Sequence, residues 1–187
     1  PLVDAGLIEA STGLSATSIT GYSGGGKKMI EQYQAGQDPQ LTSPRPYGLT
    51  LKHKHLPEMM AHTGLSVAPV FLPIVSNFYK GLSVQVPLQA SQLKPGTTAS
   101  TVHQALLAHY AGERFVQVMP LSDPPTVQDG FFDVQACNDT NRAEIFVFEG
   151  AGQLMLMCRL DNLGKGASGA AIQSMNVHLG CDEGLGL

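Results

Sequence analysis

Two apolar stretches on either side of a glycine turn constrain this chain's fold more than any other feature. Ala143-Glu144-Ile145-Phe146-Val147-Phe148 and Gln153-Leu154-Met155-Leu156-Met157-Cys158-Arg159-Leu160 flank Gly150-Ala151-Gly152. Such runs about a tight glycine turn read as a β-hairpin. Cys158 falls inside the second strand, where a cysteine behaves as a small core residue rather than as a nucleophile.

The 187 residues suffice for one good core and at most two small domains. With 43% hydrophobic residues, 14% charged residues and a net charge of -4, the profile is that of an ordinary soluble domain. It gives no electrostatic case for nucleic acid or an anionic membrane. No apolar run is long enough to span a bilayer, and no secretory pattern opens the chain. Cys137, Cys158 and Cys181 are an odd, scattered set, neither a disulfide framework nor a metal knuckle. A reducing cytoplasm is the simplest compartment. Pro1-Leu2-Val3-Asp4-Ala5-Gly6-Leu7-Ile8 opens in mid-pattern without a methionine and reads as the tail of a helix, so the chain is expected to be a piece of a longer protein.

From Leu14 to Tyr22 the chain reads as a strand, followed by Gly21-Tyr22-Ser23-Gly24-Gly25-Gly26-Lys27-Lys28 and a helix from Lys27 to Gln34. Strand, glycine loop and basic helix start are a phosphate-cradling layout, because backbone N–H groups approach an anion most closely where no Cβ intervenes. The alternative is a surface turn. Gly21, Gly26 and Lys27 fit the P-loop spacing, but Lys28 stands where a magnesium-binding hydroxyl belongs. Residues 35–46 are a polar loop. Val67 to Val75, twice broken by proline, reads as an edge or irregular strand. Leu82 to Leu88 is a cleaner strand. Thr101 to Tyr110 is a helix with Val102, Ala105, Leu106 and Tyr110 on one face, Ser100 or Thr101 as cap, and His103 and His109 exposed. Phe115 to Met119 is a short strand, and Asp123 to Asp133 a proline-bearing connection.

Leu51-Lys52-His53-Lys54-His55-Leu56-Pro57-Glu58-Met59 concentrates two histidines, two lysines and a carboxylate. It reads as a strand end turning into a helix that Pro57 opens. On a strand His53 and His55 share a face, within reach of Glu58. Three readings stay open: a solvated basic edge, a metal site of His53, His55 and Glu58, or a general acid/base histidine held by a carboxylate. Asp161-Asn162-Leu163-Gly164-Lys165-Gly166-Ala167-Ser168-Gly169 then leads into a helix of small residues ending at Leu179. Asn162 either presents its amide to a ligand or caps the turn.

Ser23-Gly24-Gly25-Gly26-Lys27-Lys28, His53-Lys54-His55-Leu56-Pro57-Glu58, Asn138-Asp139-Thr140-Asn141-Arg142 and Asp161 to Gln173 occur in the order of one family. In combination they resemble N-acetyl-γ-glutamyl-phosphate reductase of arginine biosynthesis, the shorter bacterial type. The resemblance implies an α+β fold: the mixed-sheet catalytic and dimerisation domain of the glyceraldehyde-3-phosphate dehydrogenase-like class, with the N-terminal Rossmann domain largely absent. It implies residues 1–160 as that domain and 161–187 as a turn and helix that pack on the NADP-binding domain.

The implied reaction is reduction of an acyl phosphate by NADPH, through a thioester on a cysteine lying upstream of this chain. The family's Asn-Pro-Gly-Cys-Tyr-Pro motif and its dinucleotide fingerprint do not occur here, so this chain by itself is expected to be inactive. Position by position, His55 matches the catalytic histidine, with His53 as substitute and Glu58 orienting the ring. Ser23, Gly24, Gly25 and Gly26 approach the cofactor by backbone, and Asn162 and Gly164 lie beside the nicotinamide. Lys80-Gly81 stands where the longer type has Arg-Gly, and an ammonium does not replace arginine's fork. No metal is implied, and partners are the small acyl phosphate and further copies of the chain. The competing classes are a metal-dependent hydrolase on His53, His55 and Glu58, and a non-catalytic assembly domain.

Overall fold

The computed structural model describes residues 1–187. Seven strands form one mixed sheet: β1 (Ser15–Gly21), β2 (Arg45–Pro46), β3 (Val70–Ser76), β4 (Leu82–Gln89), β5 (Val116–Val118), β6 (Ala143–Gly150) and β7 (Gln153–Leu160). Their order is β2-β3-β1-β4-β7-β6-β5. The hairpin is as expected: β6 and β7 pair antiparallel from Ala143↔Leu160 to Gly150↔Gln153. Ala151 (φ 51°) and Gly152 (φ 74°) form the two-residue turn, both left-handed, which matches the twist of a tight hairpin. β1 and β3 are parallel, as are β5 and β6, while β4 runs antiparallel to both β1 and β7. This is the expected α+β class.

Five helices accompany the sheet: α1 (Gly26–Ala35), α2 (Leu56–Thr63), α3 (Ala99–His109), α4 (Pro124–Asp129) and α5 (Gly169–Leu179). None is long and apolar enough to cross a membrane. α3 covers β4, β6 and β7. Val102 and Leu106 meet Leu88, Val147 and Leu154 in the main core, together with Leu2 and Ile8 from the chain start. The opening residues form hydrogen-bonded turns, Ala5 N–H donating to Pro1 O at 2.8 Å.

Three local expectations are corrected. The cap of α3 is Thr98, whose side chain accepts from Thr101 N–H, because the helix starts two residues before Thr101. His103 is half-buried, with Nε2 2.8 Å from Met119 O, since the β5 end packs over that side of α3. The 123–133 connection contains a helix, α4, capped by Asp123, which accepts from Thr126.

Candidate active site

Where β1 ends at Gly21, the chain makes one 3-10 turn (Tyr22–Gly25) and enters α1, the strand–loop–helix order read from the sequence. Gly21 has to be glycine: a Cβ there would lie 2.5 Å from Tyr79 O. That contact seats the loop on the β3–β4 turn, where Tyr22 N–H donates to Phe78 O (2.9 Å) and Ser23 N–H to Tyr79 O (3.0 Å). Asn162 ties the same two segments together. Its Nδ2 donates to Ser23 Oγ (2.9 Å) and its Oδ1 accepts from Gly81 N–H (2.7 Å).

Beneath this tie, Asp161 is 2% exposed. Burial alone would raise its carboxyl. Backbone N–H groups of Asp139, Leu163 and Gly164, with the Lys80 charge, outweigh burial and hold it below the usual carboxylate range. Lys80 is spent on this cluster: it pairs with Asp139 and lies 3.8 Å from Asp161. Its hydrogen bond to Asp139 holds the ammonium above its ordinary value.

The histidine stretch is not a strand. Beyond Pro46 the chain turns at Gly48 (φ 67°) and Leu51 (φ 57°), with Leu51 N–H donating to Gly48 O at 2.9 Å. The two imidazoles converge anyway. His55 N–H donates to His53 Nδ1 (3.3 Å), and the rings stand edge to face at 4.8 Å. His55 occupies the N-cap position of α2. His53 is wedged between Phe71 (5.0 Å) and Tyr47 (6.0 Å). Burial first, and then the charges of His55 and Lys54, lower its pKa from the ordinary 6.5. Partial burial raises the Tyr47 phenol.

One open cleft of about 990 Å³ gathers these parts. Ser23, Gly24, Gly25, Gly26, His53, His55 and Asn162 all line it, although they come from three separate stretches of chain. Gly24 and Gly26 leave the backbone approachable: a Cβ on Gly24 would meet nothing nearer than Asn162 Nδ2 at 3.6 Å, and one on Gly26 nothing within 4 Å.

Two predicted residues stand apart. Glu58 is exposed on α2, makes no ion pair or hydrogen bond with either imidazole, and does not line the cleft; the first turn of α2 carries it outward. Nor does any trio of His, Cys, Asp or Glu gather as metal ligands, so the geometry the hydrolase alternative needs is missing. Gly164 lies behind the wall, where a Cβ would be 2.7 Å from Thr140 O; Gly166 and Ala167 face the cleft instead.

Sequence reasoning missed Arg45 and Tyr47. Both line the cleft, and their place just before the histidine run was the available signal. The lining holds Arg45, Lys54 and two histidines but no carboxylate, in a chain of net charge -4. Such a cleft favours an anionic ligand. None of the three cysteines lines it. Burial raises Cys137, and pushes Cys158 to about 11.

The chain belongs to the semialdehyde dehydrogenase dimerisation-domain family, whose model matches residues 1–162. Among curated relatives, N-acetyl-γ-glutamyl-phosphate reductase 2 of Nostoc sp. is 44% identical over 195 aligned residues, covering 100% of this chain and 61% of the relative. The N-acetyl-γ-glutamyl-phosphate reductase of Rhizobium etli is 44% identical and covers 96% and 58%. The chain thus spans about three-fifths of the length of these relatives. In fold it is similar to the crystal structure of aspartate semialdehyde dehydrogenase II from Vibrio cholerae, with a TM-score of 0.65, 18% identity, and 95% of this chain and 57% of that one covered.

Proposed function

We propose that this chain forms the catalytic and subunit-contact part of an NADPH-dependent reductase of arginine biosynthesis. It converts N-acetyl-γ-glutamyl phosphate to N-acetylglutamate 5-semialdehyde and phosphate, as a cytoplasmic homo-oligomer. The observation that carries this reading is the convergence of the glycine loop, both imidazoles and Asn162 on one cleft without a carboxylate. The 44% identity to named reductases supports the choice of substrate. NADPH, when bound, supplies the hydride. Ser23, Gly24, Gly25 and Gly26 receive it by backbone. Asn162 keeps one N–H and one lone pair beyond its internal bonds, which suits the nicotinamide carboxamide. Gly164 supports that wall from behind.

His55, exposed at the helix start, manages the proton at the reacting carbonyl oxygen. His53 orients it as the acceptor of its backbone N–H. Glu58 orients the ring only in an arrangement that brings its carboxylate to the imidazoles. The thiolate that carries the acyl group as a thioester comes from outside these residues, because none of Cys137, Cys158 and Cys181 lines the cleft. Residues 161–187 pack on the NADP-binding domain, a role that fits the exposed Met175, Val177 and Leu179 of α5. In the full-length enzyme His55→Ala should cut turnover by about 10²–10⁴-fold, and His53→Ala by less. The reverse order would refute the assignment.

A further inference from the structure

We propose that Arg45 is the carboxylate anchor of the cleft: its guanidinium takes a carboxylate group of the ligand and so sets which end of the ligand faces the imidazoles. This rests on reading the cleft as the anion-binding active site. Four arginines occur in the chain. Arg114 pairs with Asp182, and Arg142 and Arg159 both pair with Glu144. Arg45 alone has no carboxylate partner; Glu31 and Asp38 border a neighbouring groove with it, yet neither forms an ion pair with it. A half-buried cation left without a counter-charge is unfavourable unless a ligand supplies one.

The guanidinium is nevertheless firmly placed. Nη2 donates to the Tyr33 hydroxyl at 3.0 Å, and the guanidinium carbon lies 5.3 Å from the Tyr33 ring centre. Tyr33 is buried and stacks on Tyr22 at 4.4 Å, and Tyr22 meets Tyr79 edge to face at 5.6 Å. The Tyr33 ring, itself stacked on Tyr22, therefore holds one face of the fork, while a single protein hydrogen bond engages it. Such a group is preorganised for a planar, bidentate acceptor, which a carboxylate is. The other basic side chains of the cleft, Lys54, His53 and His55, sit together on the turn into α2. A short ligand with an anionic group at each end then has one orientation: carboxylate on Arg45, phosphate at the imidazole turn.

Calorimetric titration of this chain with N-acetylglutamate and, separately, with inorganic phosphate tests the assignment. Thermal melts check that each variant is folded. Arg45→Met should weaken N-acetylglutamate by about 10–100-fold, the size of a charge-assisted hydrogen bond. Arg45→Lys should lose most of the same affinity, and Tyr33→Phe, which frees the fork, should lose a few-fold. Phosphate binding should change little in all three. If Arg45→Met binds N-acetylglutamate as the unaltered chain does, or loses phosphate equally, the anchor role is wrong while the cleft reading stands. If the unaltered chain binds neither anion, both fall together.

Discussion

Beneath α3, the strands β4, β6 and β7 bury Leu88, Val147 and Leu154 against Val102 and Leu106, all at 8% exposure or less. At the other end, around β3, the buried apolar cluster shrinks to Tyr33, Leu41 and Val75, and the strand ends open on the cleft. Charge is treated differently too. On the face of β6 opposite α3, Glu144, 4% exposed, sits 2.6 Å from Arg159 Nε and 2.7 Å from Arg142 Nε, so its charge is balanced within the protein. Arg45 and Lys54 in the cleft form no ion pair. Apolar packing has no direction and closes whatever it covers. An open site has to be held by directed contacts instead, and here these are the Asn162 bridge, the Asp161 cluster and the close approach at Gly21.

The widest separation between the two ends concerns chemistry. Because no thiol lines the open end, the 187-residue chain alone should give no NADP-dependent oxidation of N-acetylglutamate semialdehyde in a spectrophotometric assay. Turnover above background would mean that one of the three cysteines does reach the cleft. Next in size is the closed end: Leu106→Ala should cost about 2–5 kcal/mol in denaturant melts. Its anion affinity should stay unchanged, and a loss of binding would mean the two ends are coupled. Asn162→Ala has a smaller, mixed effect. It removes two hydrogen bonds, so about 1–3 kcal/mol of stability should go. In the full-length enzyme NADPH affinity should weaken as well, measured by calorimetry beside the melts. Lost stability with intact cofactor affinity would make Asn162 a purely structural tie.

What the sequence revealed follows the same division. The β6–β7 hairpin and the Val102–Leu106 face of α3 were legible because they rest on local apolar pattern and turn chemistry. His53, His55, the glycine loop and Asn162 were legible through motif resemblance, but not their mutual geometry. The histidine run lacks a strand because Leu51 adopts a left-handed conformation, which no propensity for leucine foretells. Glu58 points away because it falls on the exposed side of the first turn of α2, which spacing to the imidazoles alone does not reveal. Arg45 was invisible as a site residue because its unpaired state depends on the other residues that surround it in space. His103 drew its partner, Met119 O, from sixteen residues away.

The central claim, that the open end alone binds the acidic ligand, is tested most directly by ring NMR of the six histidines during a pH titration, without and with N-acetylglutamate. Without ligand, His53 should titrate below its ordinary 6.5. Its folded form therefore gains relative stability at pH values above the unfolded pKa, and loses that as pH falls toward the lowered folded value. With ligand, His53 and His55 should shift, and the added negative charge should raise the pKa of His53. His103 and His109 at the closed end should not move. That pattern is the predicted result. Unchanged His53 and His55 signals, or an equal response from His103, would contradict the account.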